Sequence, residues 1–181
     1  MAKMLYSVSM SADGFIAGPG GDMRWLTDYL GPNPLVDELI SNVGALLAGN
    51  KSFGGDDPYK DTEQEGEAFG GGWSGPEFVL AHKAPERPIP GVTFVHDVDT
   101  AIKESKAAAG DKYVNVMGAT VARELLAAGA LDEVLTVITP VMLGDGVRLF
   151  DHPGGTQVKL ERLRFSTTED AVNVWYRIKT S

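Results

Sequence analysis

The sequence predicts an α/β layered domain built on a largely parallel sheet. Two observations carry this expectation. Short apolar runs, each closed by Gly, Pro or a polar turn, alternate with segments whose apolar residues recur at helical spacing. The chain then ends on two consecutive strand-like runs around a polar turn, Gln157 to Arg164 and Val172 to Ile178, the pattern of an antiparallel pair.

The elements follow in order. Lys3 to Met10 reads as a strand, with Leu5, Ser7 and Ser9 on one face and Met4, Tyr6 and Val8 on the other. Asn33-Pro34 starts a helix, because Asn can cap and Pro suits the first turn, and Leu35, Val36, Leu39 and Ile40 give its apolar face. Ala45 to Ala48, Phe78 to Ala81 and Val92 to Val95 are short buried strands. Asp97 or Asp99 caps a helix that ends at Gly110. Tyr113 to Met117 is a strand, Gly118 opens a helix through Leu126 that Gly129 closes, and Val134 to Ile138 is a strand that Pro140 ends.

Composition bounds the rest. With 181 residues, 43% apolar and 23% charged, the chain buries a real core and reads as one domain over 1–181. The absence of Cys excludes disulfides, a thiolate zinc site and a cysteine nucleophile. His82, His96 and His152 are too scattered for a metal site, so none is expected. A net charge of −9 argues against nucleic acid or an anionic membrane as partner. The first ten residues lack the apolar core of a leader, and no run approaches the ~20 apolar residues of a spanning helix. A cytoplasmic protein is expected. Seven carboxylates against one cation, Lys60, lie between Asp56 and Glu77, inside a long Gly-rich loop at 54–77. Such loops are often functional.

In parallel sheets, ligands bind beyond the carboxyl ends of the strands. Four loops there carry suitable residues. Gly118-Ala119-Thr120-Val121 opens a helix, where unpaired backbone amides can hold a phosphate. Gly49-Asn50-Lys51-Ser52 offers a cation and a hydroxyl, without the spacing of a P-loop. Ala81-His82-Lys83 is either a surface pair or a place for an extra phosphate such as the 2′-phosphate that distinguishes NADP from NAD. Ser9 to Gly18 holds a turn at Asp13-Gly14, followed by Phe15 and Ile16, which either join the core or cover a flat ligand. Gly144-Asp145-Gly146 is either a turn or a ligand contact.

Taken in order, these segments resemble the dihydrofolate reductase-like superfamily. They are most similar to the reductase domain of the riboflavin-biosynthesis deaminase-reductase and its stand-alone relatives. The resemblance rests on Ser9 to Ala17, Gly49 to Phe53 with Asp56-Asp57-Pro58, Phe78 to His82, Gly118 to Leu126, Asp132-Glu133 and Pro140 to Phe150. It implies a three-layer fold, a mainly parallel central sheet with an antiparallel C-terminal strand pair, NADPH as hydride donor, a small heterocyclic substrate and a homodimer. It places Ser9, Ile16 and Ala17 by the nicotinamide. Gly49, Asn50, Lys51 and Ser52 then meet the phosphates and adenosine ribose, Ala81, His82 and Lys83 the adenosine end, and Gly118, Ala119, Thr120 and Val121 the pyrophosphate. Trp25, Phe53 and Trp73 are the substrate-binding candidates, and Asp28 is the candidate proton donor.

The sequence departs from the family at several positions. Asn50 and Ser52 stand where Arg and Thr are usual, and Val116 stands where the riboflavin-pathway enzymes carry a substrate-binding Glu. Two alternatives stay open: a reductase of a ribosylamino-pyrimidine, and a module that binds NADPH without catalysis.

Overall fold

A computed structural model describes residues 1–179. Ten strands and four α-helices follow one another as β1 Lys3–Ser11, β2 Phe15–Ala17, α1 Pro34–Ser41, β3 Val43–Gly49, α2 Asn50–Phe53, β4 Glu77–Leu80, β5 Val92–Val95, α3 Val98–Ala109, β6 Tyr113–Met117, α4 Ala119–Ala127, β7 Glu133–Thr139, β8 Val147–Arg148, β9 Leu160–Thr167 and β10 Val172–Ile178. Eight strands form one sheet in the order β5-β4-β3-β6-β1-β7-β10-β9. The six strands from β5 to β7 are parallel, while β10 runs antiparallel to both β7 and β9.

Connection handedness sorts the helices into layers. The β1–α1–β3 crossover runs toward β5, whereas β5–α3–β6 and β6–α4–β7 run the other way. Right-handed crossovers in opposite directions put their helices on opposite faces. The core divides accordingly. Met4 and Tyr6 pack with Ala101 of α3 and with Val121 and Leu125 of α4. On the other face Leu5, Leu46 and Trp175 pack with Leu35 and Leu39 of α1. The alternation read along β1 is the one observed.

Side chains define the helix ends. Asp97 accepts the Thr100 amide at 2.8 Å and so caps α3. Asn33 occupies the cap position of α1, with Pro34 next, but its side chain does not cap. It exchanges two hydrogen bonds, 2.8 and 3.1 Å, with the buried Asn173 of β10, because the sheet face beside it offers a complementary amide. The strand expected at Gln157 to Arg164 lies three residues later, at Leu160–Thr167, where pairing with Val172 to Ile178 sets its register. Gly49 to Ser52 is not a plain loop, since one helical turn starts at Asn50. Phe15 and Ile16 belong to a short buried strand, β2, paired with β8.

Candidate active site

The site forms where the sheet changes direction. β3 and β6 are neighbours, but the chain leaves β3 toward β4 and leaves β6 toward β7, on opposite sides. Such a switch point opens a crevice at the carboxyl ends of the two strands. Gly49 to Ser52 and Gly118 to Val121 follow those ends, and the fold brings them together. Gly118 has φ +103°, and a Cβ there would collide with Ser52 Oγ. A Cβ on Gly49 would lie 3.0 Å from Val121 Cγ2. Glycine is thus required at 118 both for backbone conformation and for space.

α4 starts in this crevice. Its first amide with a partner is that of Ala122, which donates to the Gly118 carbonyl at 3.1 Å. The amides of residues 119–121 find no acceptor among the described residues, so the positive end of the helix faces the crevice. Val121 is itself a core residue, 2% exposed, and only its backbone can meet a ligand. Thr120 is exposed.

An open cleft of about 380 Å³ adjoins α2, lined by Asn50, Phe53, Lys83, Glu86, Ile89 and Phe94 among others. Phe53 and Phe94 meet edge to face, ring centroids 5.8 Å apart. Phe53 therefore belongs to this cleft, with the β4–β5 connection. Lys83 lines the cleft and His82 does not; His82 is exposed and Ala81 is buried.

A second arm of the site lies beyond β1. Ser9 is half-buried, while Ile16 and Ala17 are buried in β2. Asp13 organises this corner. It accepts from Ser11 Oγ at 2.6 Å, from the Leu143 amide at 3.0 Å and from the Gly144 amide at 2.7 Å. The Ser11 hydroxyl, aided by the two amides, holds its carboxyl down at about 2. Gly144-Asp145-Gly146 is thus a turn fastened to Asp13, and it packs Gly146 against the Ala17 carbonyl.

Two irregular segments, 22–29 and 56–61, are tied to each other. The Met23 amide donates to Asp56 at 3.0 Å, Thr27 Oγ1 to the Pro58 carbonyl at 2.9 Å, and Arg24 lies 3.6 Å from Asp61. Asp57 accepts the amides of Tyr59 and Gly66. Several acidic residues of the loop therefore shape it. In the first segment Trp25 is half-buried, and its Nε1 is buried without a partner. Asp28 is exposed.

Trp73 is held at the other end of β3 from the Gly49 turn. Its indole N–H donates 3.0 Å to the Val43 carbonyl, at the opposite end of β3, and its ring packs on the α1-side core. It anchors the 54–77 loop. Val116 is fully buried in the core on the α3 and α4 side, so that position does not face the α1 side of the sheet. Strand alternation gives that face to Asn115 and Met117, which sequence reasoning did not single out. Asn115 is 1% exposed and accepts Ser7 Oγ at 2.6 Å, and its amide nitrogen has no partner among the described residues. Met117 is 38% exposed.

Over 99% of the chain, and all of the other, the structure superposes on a putative riboflavin biosynthesis protein from Shewanella sp. PV-4, with a TM-score of 0.73 at 23% identity. This is the fold of the RibD C-terminal domain. Residues 97–174, from the cap of α3 into β10, match that family's model. A Thermotoga maritima diaminohydroxyphosphoribosylaminopyrimidine deaminase/5-amino-6-(5-phosphoribosylamino)uracil reductase superposes with a TM-score of 0.69 at 18% identity; 98% of this chain covers 57% of that one. Among curated proteins, an uncharacterized Bacillus subtilis protein, YyaP, is 23% identical over 152 residues, 82% of this chain and 80% of that one. The RibD-type match includes β6 and the Gly118 turn but starts after the Gly49 turn and the two irregular segments.

Among the described residues no helix is long and apolar enough to cross a membrane. Among the same described residues, no group of three or more His, Asp or Glu is placed to hold a metal ion.

Proposed function

We propose that this protein is an NADPH-dependent reductase that delivers hydride to a small pyrimidine- or pterin-like heterocycle. The observation that carries the reading is the meeting of two glycine-opened turns at the switch-point crevice, with an aromatic-lined cleft beside them. The residues present fit a dinucleotide. Gly118 leaves no room for a Cβ, the amides of 119–121 are unpaired, and the cleft is large enough for a purine.

In this reading the α4 amides, the Thr120 hydroxyl and Lys51 hold the phosphates. The cleft takes the adenosine end, with Lys83 at its rim. Ser9, Ile16 and Ala17 flank the nicotinamide. When bound, the cofactor supplies the hydride, and the protein's part is to orient the rings and exclude water. The segments 22–29 and 56–61 do the latter, and the unpaired Trp25 N–H and Asn115 amide are donors for a heterocycle's acceptor atoms. Asp28, exposed on the first of these segments, is assigned as proton donor. The protein acts as a cytoplasmic homodimer, which light scattering on purified protein tests for the assembly.

The RibD-type match and the uracil reductase name of the Thermotoga relative support a pyrimidine as the first substrate to try. The test is loss of NADPH absorbance with a panel of ribosylamino-pyrimidines and dihydropterins. Turnover of one class, reduced at least tenfold in Asp28→Asn, is expected. NADPH binding without oxidation by any of them would make the protein a non-catalytic cofactor-binding module.

A further inference from the structure

The cleft beside α2 carries opposed charges at its rim. Its walls are apolar, with Phe53, Phe94 and Ile89, and its rim holds Asn50, Lys83 and Glu86. The neighbouring His82 and Arg87 are exposed and do not line it. Glu86 is exposed and makes no hydrogen bond or ion pair among the described residues, so its charge faces whatever enters the cleft.

Such a rim discriminates between two dinucleotides. A carboxylate accepts hydrogen bonds from a ribose 2′-hydroxyl and repels a 2′-phosphate, whereas a cation does the reverse. Position 50, on the same rim, holds a neutral amide. Lys83 is then opposed by Glu86 with no second lining cation to outweigh it.

We propose that Glu86 is the specificity-determining residue for the adenosine ribose, and that its charge holds back NADPH, so that NADH binds comparably. The proposal rests on the reductase reading above and sharpens its cofactor. It makes the choice between the two cofactors a property of two side chains, and Glu86 is the one that can be changed without touching the phosphate cradle.

The experiment measures Kd for NADPH and for NADH on the full chain by cofactor fluorescence, for the unmodified protein, Glu86→Gln, Glu86→Asp and Lys83→Ala. The unmodified protein is expected to bind the two within about tenfold of each other. Glu86→Gln tightens NADPH about fivefold and changes NADH less than twofold, the size of one exposed charge interaction. Glu86→Asp behaves as the unmodified protein, and Lys83→Ala weakens NADPH alone. The Glu86→Gln effect disappears at 1 M salt, where screening acts within about 3 Å, which a merely structural role would not do. If both cofactors bind but Glu86→Gln moves both equally, or neither, the proposal is overturned and the reductase reading stands. A preference for NADPH beyond a hundredfold in the unmodified protein also overturns it. If neither cofactor binds, the reductase reading falls and the proposal with it.

Discussion

Asp13 shows how one side chain can set a corner of the site. The Asp13-Gly14 dipeptide signals a turn, but nothing local says that its carboxylate will accept from two amides 130 and 131 positions away. Those bonds fix the 143–146 turn, which in turn holds β2. The carboxyl sits below its ordinary range of about 3.9, at about 2. The sign follows from that direction: the ionised form is favoured by the fold, so its contribution is present above the ordinary pKa and is lost as pH falls through about 2. Asp13→Asn is therefore expected to lower Tm at pH 6. The gap to the unmodified protein should shrink between about pH 4 and pH 2. A gap that stays constant with pH would show that the amide bonds to the ionised carboxylate are not what Asp13 contributes. Gly118 is the opposite case. Its place after an apolar strand marked it in the sequence, and the structure adds the neighbour, Ser52, that forbids a side chain.

Among the elements, buried parallel strands were the most legible, because apolar runs closed by glycine leave few alternatives. β9 was not. It is an edge strand, most of its residues are exposed, and alternation there does not report burial, so its bounds come from pairing with β10. β2 and β8, of three and two residues, are too short for any periodicity to show. The two irregular segments are ordered by side chain to backbone contacts such as Asp56 with Met23, which no spacing rule foretells. Trp73 illustrates the consequence. A tryptophan in a Gly-rich loop reads equally as a lid or as an anchor, and only the Val43 carbonyl decides. Trp73→Phe keeps an aromatic ring and removes that hydrogen bond. It should cost about 1 kcal/mol in urea unfolding and leave the NADPH Kd unchanged. A weakened Kd with unchanged stability would return Trp73 to the site.

The whole molecule separates its two ends. The carboxyl ends of the parallel strands hold glycines, unpaired amides and the cleft. Their amino ends are joined by a buried carboxylate, Glu133, 1% exposed, which accepts from Lys3 at 2.8 Å, Trp175 at 2.8 Å and Tyr113 at 3.1 Å. These donors come from β1, β10 and β6, so one side chain links four strands. Burial, with Glu133 beside it, pushes the Tyr113 phenol up to about 12. Glu133→Ala strands the Trp175 indole N–H in the core and is expected to cost about 3 kcal/mol. The cofactor affinity of the folded fraction should not change, since the network lies at the far end of the strands. An unfolding midpoint equal to that of the unmodified protein would contradict this role.

The division of labour between the two ends depends on a dinucleotide lying across the carboxyl ends of β3 and β6. The most direct measurement is a titration of NADPH into the unmodified protein and into Gly118→Ala, read by cofactor fluorescence, with thermal unfolding of both to confirm that the variant is folded. The expected result is saturable binding by the unmodified protein, well below millimolar, and at least a tenfold loss in the folded variant. Absence of binding below about millimolar, roughly −4 kcal/mol, or equal affinity in the two proteins, would contradict it.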